Sequence, residues 1–211
     1  MDTDLLISEQ LMSTRENIAY AVSAMMMLYE NEEHTVFTKG DYNLNIYGIR
    51  NPSKVSDSFD DLLGCFYKVG GIWRHHAWEV TTDPGKKYLE KFYDGAKGTA
   101  ILCGGQYRGV YQIGKHRNQY EALCQPGGKG RVYRDGNKDD ILDMNTEDIT
   151  EGWYGINIHR ASDDRVVDAV GGYSAGCQVF RDSTDFGCFM LICSKAAEIW
   201  GNSFTYTLFE E

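Results

Sequence analysis

From Asn43 to Arg134 the chain is cut into short β-rich runs by glycine pairs and one Asp-Pro-Gly step. Leu44, Ile46 and Gly48 alternate with Asn45, Tyr47 and Ile49 before Asn51-Pro52 ends the first run. Leu62–Val69 and Ile72–Thr82 flank Gly70-Gly71, a two-residue hairpin signal, because glycine accepts φ > 0 at both turn positions. Alternation sets Ile72, Arg74, His76, Trp78 and Val80 on one face and Trp73, His75, Ala77 and Glu79 on the other. Asp83-Pro84-Gly85 reads as a turn, with proline presetting φ. Further runs at Thr99–Cys103, Gly109–Ile113, Tyr120–Gln125 and Arg131–Arg134 are separated by corners at Gly104-Gly105 and Gly127-Gly128. Short strands at this spacing predict a mainly β fold, a β-sandwich or barrel, and not a βαβ array.

Helical periodicity is confined to three stretches. Residues 4–30 carry Ile18, Val22, Met25, Met26 and Tyr29 at helical spacing, and Ser13-x-x-Glu16 fits a capping box. The run Met25–Met27 reads as core packing. The expected division is an N-terminal helical segment over 1–35 and a main domain over 36–211. A short helix is expected over Lys86–Ala96, with Tyr88, Leu89, Phe92 and Tyr93 as its apolar positions. A longer one is expected over Asp182–Trp200, with Phe186, Phe189, Met190, Ile192, Cys193, Ala196 and Ile199 as its buried stripe, followed by a closing strand over Ser203–Phe209.

Composition narrows the partners. A chain of 211 residues with 42% apolar content can bury one large core. Its net charge of −10, with no basic cluster, argues against a nucleic-acid partner, which would need a face that neutralises phosphates. The first ten residues lack a basic n-region and an apolar h-region, and no run approaches the ~18 apolar residues of a membrane span. The expectation is cytoplasmic synthesis without a signal peptide and no membrane span. The six cysteines form no CxxC pair, which argues against a zinc ribbon, and five sit in runs where a buried thiol is the ordinary expectation. No cofactor is implied.

One stretch stands apart. Gly155–Phe180 begins as an apolar strand ending in His159, crosses an acidic loop, and reaches Ser174-Ala175-Gly176-Cys177 through Gly171-Gly172. A thiol brought beside an imidazole is a nucleophile with its base; the alternative is a strand-end histidine and a buried thiol. Gly176 allows close approach of a ligand to the backbone, and the helix expected from Asp182 offers a positive end that favours a thiolate.

The histidine, the loop, Ser174-x-Gly176-Cys177 and the helix and strand that follow resemble the L,D-transpeptidase catalytic domain (YkuD-like). That family's pattern is a histidine, a loop, Ser/Thr-His-Gly-Cys, a hydrophobic residue, then Asn or Arg. The likeness extends over roughly Tyr42–Phe209. It implies Cys177 as nucleophile, His159 as general base with its ring steered by the Arg160 carbonyl, and the Gly176 and Cys177 N–H groups as the oxyanion hole. It further implies acyl transfer from a peptidoglycan stem peptide through a thioacyl-enzyme. Ala175 stands in place of the family's second histidine, and Gln178-Val179 in place of the hydrophobic residue and the Asn or Arg. Arg181 or His116 would have to supply that polar function. Ser174, His116, Tyr111 and Arg181 are the candidate substrate-binding residues.

Two other groups carry weaker signals. Asp135, Asn137, Asp139 and Asp143 echo a Ca²⁺ loop, but Asp140 and Thr146 replace the glycine and glutamate such a loop needs, so a solvated acidic turn is expected. His75 and His76 point to opposite faces of one strand and so cannot chelate a single ion. His116 reads as a strand-end histidine or as part of a cleft with Tyr107, Tyr111 and Tyr120.

The leading expectation is thus an L,D-transpeptidase-like cysteine acyltransferase or peptidase, possible also as a phage product released by lysis or carried in a virion. Two alternatives are an inactive virion or cell-wall-binding protein on the same scaffold, and a cytoplasmic cysteine hydrolase of another amide.

Overall fold

The Gly70-Gly71 hairpin forms as its sequence predicts. Both glycines have positive φ (59° and 78°), and β2 (Asp61–Val69) pairs with β3 (Ile72–Thr81) from Val69 opposite Ile72 to Asp61 opposite Val80. The computed structural model describes residues 3–91 and 97–210. Around this hairpin β1 (Asn45–Ile49), β5 (Gly105–His116), β6 (Tyr120–Cys124), β9 (Ile158–Arg160), β10 (Gln178–Phe180) and β11 (Phe204–Phe209) close a barrel in the order β1-β11-β5-β6-β9-β10-β3-β2. A separate three-stranded sheet, β4 (Thr99–Leu102), β7 (Gly130–Asp135) and β8 (Thr150–Gly152), stands beside it. The fold is mainly β, with a helix at the N-terminus and another after Cys177.

The strand expected over Gly109–Ile113 starts earlier, at Gly105, and runs on to His116. Gly109 lies inside the twelve-residue β5 at φ 65°, close to a register shift opposite Phe204 and Tyr206. A left-handed residue at such a shift is what a β-bulge requires, so the strand bends there without ending. The short β10 and β8 have too few residues to show alternation, and the sequence does not announce them.

The first helix, α1 (Thr3–Asn31), is continuous through Ser13. Ser13 is therefore an interior residue, and no capping box starts the helix there. Val22, Met25 and Tyr29 pack on the outer barrel wall against Tyr47, Phe66 and Phe209, with Trp73 joining from β3. Tyr29 meets Phe66 and Phe209 edge-on at 5.7 and 5.2 Å, a favoured aromatic geometry. Met25 is buried and Met26 partly so, whereas Met27 faces outward at 63% exposure. Helix α2 (Lys86–Glu90) is one short turn with Leu89 buried. Phe92 and Tyr93, expected in the same helix, lie outside the described residues.

Helix α3 (Ser183–Trp200) is capped by Asp182, whose side chain accepts from the Thr184 N–H at 2.7 Å. Phe186, Phe189, Cys193 and Ala196 bury its inner face, while Ile199 lies half exposed at the end of the predicted stripe. Trp78, Phe180 and Phe189 interlock at centroid separations of 5.2 to 5.8 Å and tie α3 to β3 and β10. The six cysteines are all free thiols, and only Cys65, Cys103 and Cys193 are buried. Cys188 faces solvent because it falls on the outer side of α3. Among the described residues no helix is long and apolar enough to cross a membrane.

Arg50 is buried at the end of β1, where the sequence gives no hint of it. Its guanidinium donates to the carbonyls of Leu102 (2.8 Å) and Thr82 (3.1 Å) and to Glu210 (2.5 Å), and lies 2.9 Å from Asp83. One side chain thus ties the end of β1 to β4, to the segment leaving β3 and to the residue that follows β11.

Candidate active site

Strands β9 and β10 run parallel, with His159 opposite Val179. Cys177 lies two residues before Val179, so its side chain leaves the sheet on the same face as His159. Both line a cleft of about 300 Å³ between the barrel and the smaller sheet. His116 and Asn157 share the barrel side; Ala100 and Arg134 form the opposite wall.

The cysteine is held by a tight turn. Ser174 Oγ donates to the Cys177 carbonyl at 2.8 Å and accepts from the Gly176 N–H at 3.1 Å. Gly176 has φ 113°, and a Cβ there would run into the Ala100 carbonyl oxygen of β4. Only glycine satisfies both the dihedral and the close approach.

His159 is 4% exposed. Its Nδ1 donates to the Arg160 carbonyl at 2.8 Å, which leaves the Nε2 lone pair free to accept a proton. Tyr120 Oη donates to the same carbonyl at 3.2 Å, and the Arg160 guanidinium lies over the Tyr120 ring. His116 stacks on His159 with centroids 4.1 Å apart. The Asn157 amide is oriented because its oxygen accepts from the Gln125 N–H at 3.0 Å. Its nitrogen therefore donates to His116 Nδ1 at 3.1 Å, and the His116 proton resides on Nε2.

The electrostatics keep both partners neutral at rest. Burial pushes His159 down to about 3, with further lowering from His116 and only partial compensation by the Arg160 carbonyl. Burial pushes the Cys177 thiol up to about 11, against the lowering effect of the Asn157 N–H, which donates to Sγ at 3.4 Å. The thiol donates to the Gly155 carbonyl at 3.5 Å. The expected result is an alkylation rate at Cys177 that rises about tenfold per pH unit from 6 to 9, following the thiolate fraction. Peptide mass spectrometry with iodoacetamide reads it, and a plateau below pH 8 would contradict the neutral pair.

Several expectations are corrected by this geometry. Helix α3 does not start at Cys177: β10 intervenes, and the carboxylate of Asp182, five residues after the cysteine, already caps the helix N-terminus. The Gly176 N–H is already donated to Ser174, so it is not an open oxyanion donor. Ser174 is fully buried and serves the turn. Tyr111 is buried in the core, edge-on to Tyr206 at 5.8 Å, and does not reach the cleft. Arg181 pairs with Glu79 at 2.7 Å and Asp168 at 3.1 Å on the outer surface. Of the four substrate-binding candidates, His116 alone lines the cleft with Cys177.

The acidic loop closes on itself. Asn137 Nδ2 donates to Asp139 (2.9 Å) and Asp143 (2.7 Å), and Asp135 accepts from the Asp143 N–H, so an amide sits where a cation would need oxygens. Among the described residues no group of three or more His, Cys, Asp or Glu side chains is arranged to hold a metal ion. His75 and His76 bond separately, to Tyr47 and Tyr67 on opposite faces of β3.

The residues that sequence reasoning missed are Asn157 and Arg117. Asn157 is the one polar side chain inside the apolar run Gly155–Ile158, a signal available in the sequence. Arg117 sits with Asn118 in the three-residue connection between β5 and β6, both at positive φ. Comparison of the chain with protein-family models, with curated proteins and with solved structures gives no match.

Proposed function

We propose that the protein is an L,D-transpeptidase-like cysteine acyltransferase or peptidase acting on peptidoglycan stem peptides. The observation that carries this reading is the shared face of Cys177 and His159, with the imidazole held by the Arg160 carbonyl so that Nε2 is its proton-accepting atom. The family resemblance of the His159–Cys177 stretch supplies the substrate class. In the proposed cycle Cys177 turns about χ1 from the Gly155 carbonyl toward His159. Nε2 then takes the thiol proton as sulfur bonds to the substrate carbonyl carbon. The C–N bond breaks, the leaving amine receives that proton from His159, and a thioester remains. An incoming amine or water loses a proton to His159, attacks the thioester and releases Cys177, which regains its proton.

Neutral resting partners suit this order of events. With the thiol and imidazole both held neutral by burial, the proton passes to Nε2 as sulfur attacks, and no free thiolate–imidazolium pair precedes the substrate. The test is incubation with purified peptidoglycan fragments and mass spectrometry of products and of the intact protein. The expected result is an acyl adduct on Cys177 and either exchanged or hydrolysed stems. Turnover only on unrelated amides would favour a hydrolase of another substrate.

A second reading, a cell-wall-binding scaffold without turnover, is favoured by the high thiol pKa and the occupied Gly176 N–H. Binding to the fragments without any adduct would establish it.

A further inference from the structure

We infer that the Cys177 cleft selects ligands bearing a carboxylate next to the reacting carbonyl, and that Arg117 is the residue that binds it. This deepens the acyl-transfer reading and rests on it for the word "reacting", but the anion site stands on its own observations.

The first is charge. The chain carries a net −10, yet the described residues lining the cleft include Arg117 and Arg134 and no aspartate or glutamate. A cationic cleft in an acidic protein concentrates anions there by focusing the field between low-dielectric walls.

The second is partnering. Arg50 is matched by Asp83 and Glu210, Arg181 by Glu79 and Asp168, and Lys86 by Asp140 and Glu90. Among the described residues Arg117 has no hydrogen-bond or ion-pair partner, so none of them occupies its guanidinium. Arg134 on the facing wall is partly committed, to the Thr150 hydroxyl (3.0 Å) and the Gly98 carbonyl (3.3 Å), with its guanidinium 4.6 Å from the Tyr154 ring. It adds charge from a fixed position, while Arg117 offers the open fork that matches a planar carboxylate.

The third is placement. Arg117 and Asn118 both take left-handed backbone (φ 49° and 59°), which makes the tight two-residue turn closed by the Gln119 N–H on the His116 carbonyl. That turn roots Arg117 beside His116, which stacks on His159. The same charge acts on all three reactive groups, lowering Cys177, His116 and His159 alike.

The test compares alkylation of Cys177 by iodoacetate, an anion, with alkylation by neutral iodoacetamide, read on the Cys177 peptide at pH 8.5. In each case the thiolate displaces iodide, so the ratio of rates cancels the thiol's own reactivity. The ratio is expected to fall on the order of tenfold in Arg117→Gln, and to fall in wild type as salt rises. Arg117→Lys should retain part of it, and Arg108→Gln, an equal loss of charge away from the cleft, should retain all. An unchanged ratio in Arg117→Gln overturns the proposal. N-acetylalanine and N-acetylglutamate α-amide are then tested as protectants against iodoacetamide. Protection by the first assigns a chain-end carboxylate, protection by the second a side-chain one, and protection by neither overturns the proposal. No step needs turnover, so an inactive scaffold would still show the site, and an active enzyme lacking it would not.

Discussion

Replacing His159 with glutamine is expected to slow formation of the acyl adduct at Cys177 by about 10²- to 10⁴-fold, the range that a positioned general base contributes. Cys177→Ala should abolish the adduct altogether. With a thiol pKa of about 11, little thiolate exists at neutral pH, so the reaction depends on proton transfer to Nε2 within the occupied site. Intact-protein mass spectrometry on stem-peptide fragments measures the effect, and a glutamine variant as fast as wild type would remove His159 from the mechanism. The same substitution has a separate signature in stability. An unfolded histidine takes up a proton near pH 6.5, whereas folded His159 resists it until about 3. The folded state therefore binds fewer protons between those values, and stability is lost as pH falls through that window. The slope is about 1.4 kcal/mol per pH unit. His159→Gln should flatten that part of the profile in urea titrations at pH 4 to 7.

Arg50→Ala is expected to cost about 3–5 kcal/mol, because it strands buried carboxylates and carbonyls that have no other cation. Burial drives Asp83 upward while the Arg50 charge holds it down, so removing Arg50 leaves desolvation unopposed. Urea denaturation would read the loss directly; a change below about 1 kcal/mol would refute the assignment. Adding Asp83→Asn to the alanine variant should recover part of the loss, since it removes one stranded charge. The effect should also be felt at the cysteine. Thr82, gripped by Arg50, offers its carbonyl to the Gln178 amide at 3.4 Å, and the Gln178 oxygen accepts from Tyr206 at 2.9 Å. Gln178 follows Cys177, so the hub steadies the nucleophile's own turn.

What was legible in the sequence followed from local rules. Glycine at both hairpin positions, the Asp182 cap and the apolar stripe of α3 each act within a few residues, and each is visible as a pattern. The facing of Cys177 and His159 was suggested by glycines and spacing, then required the parallel β9–β10 register to become geometry. Arg50 was not legible, because nothing beside it in the chain announces that Asp83, Leu102 and Glu210 converge on it. Arg117 was hidden for a related reason: an arginine in a polar turn reads as a solvated charge until the facing wall of the cleft is known. Gly176 was read as an oxyanion donor on its freedom of approach, but its N–H is spent inside the turn by Ser174.

The pairing of β1 with β11 sets Ile46 beside Tyr206, 160 residues further along (206 − 46), while β11 also completes the seam with β5. During synthesis the barrel therefore stays open until its last strand leaves the ribosome, with the edges of β1 and β5 unpaired in the meantime. Such distant closure raises contact order and slows folding. Emerging chains would be vulnerable to edge-to-edge association. Helix α1, which precedes every strand in the chain, is available throughout to shield the apolar wall of Tyr47 and Phe66 while the nascent sheet waits for its final partner.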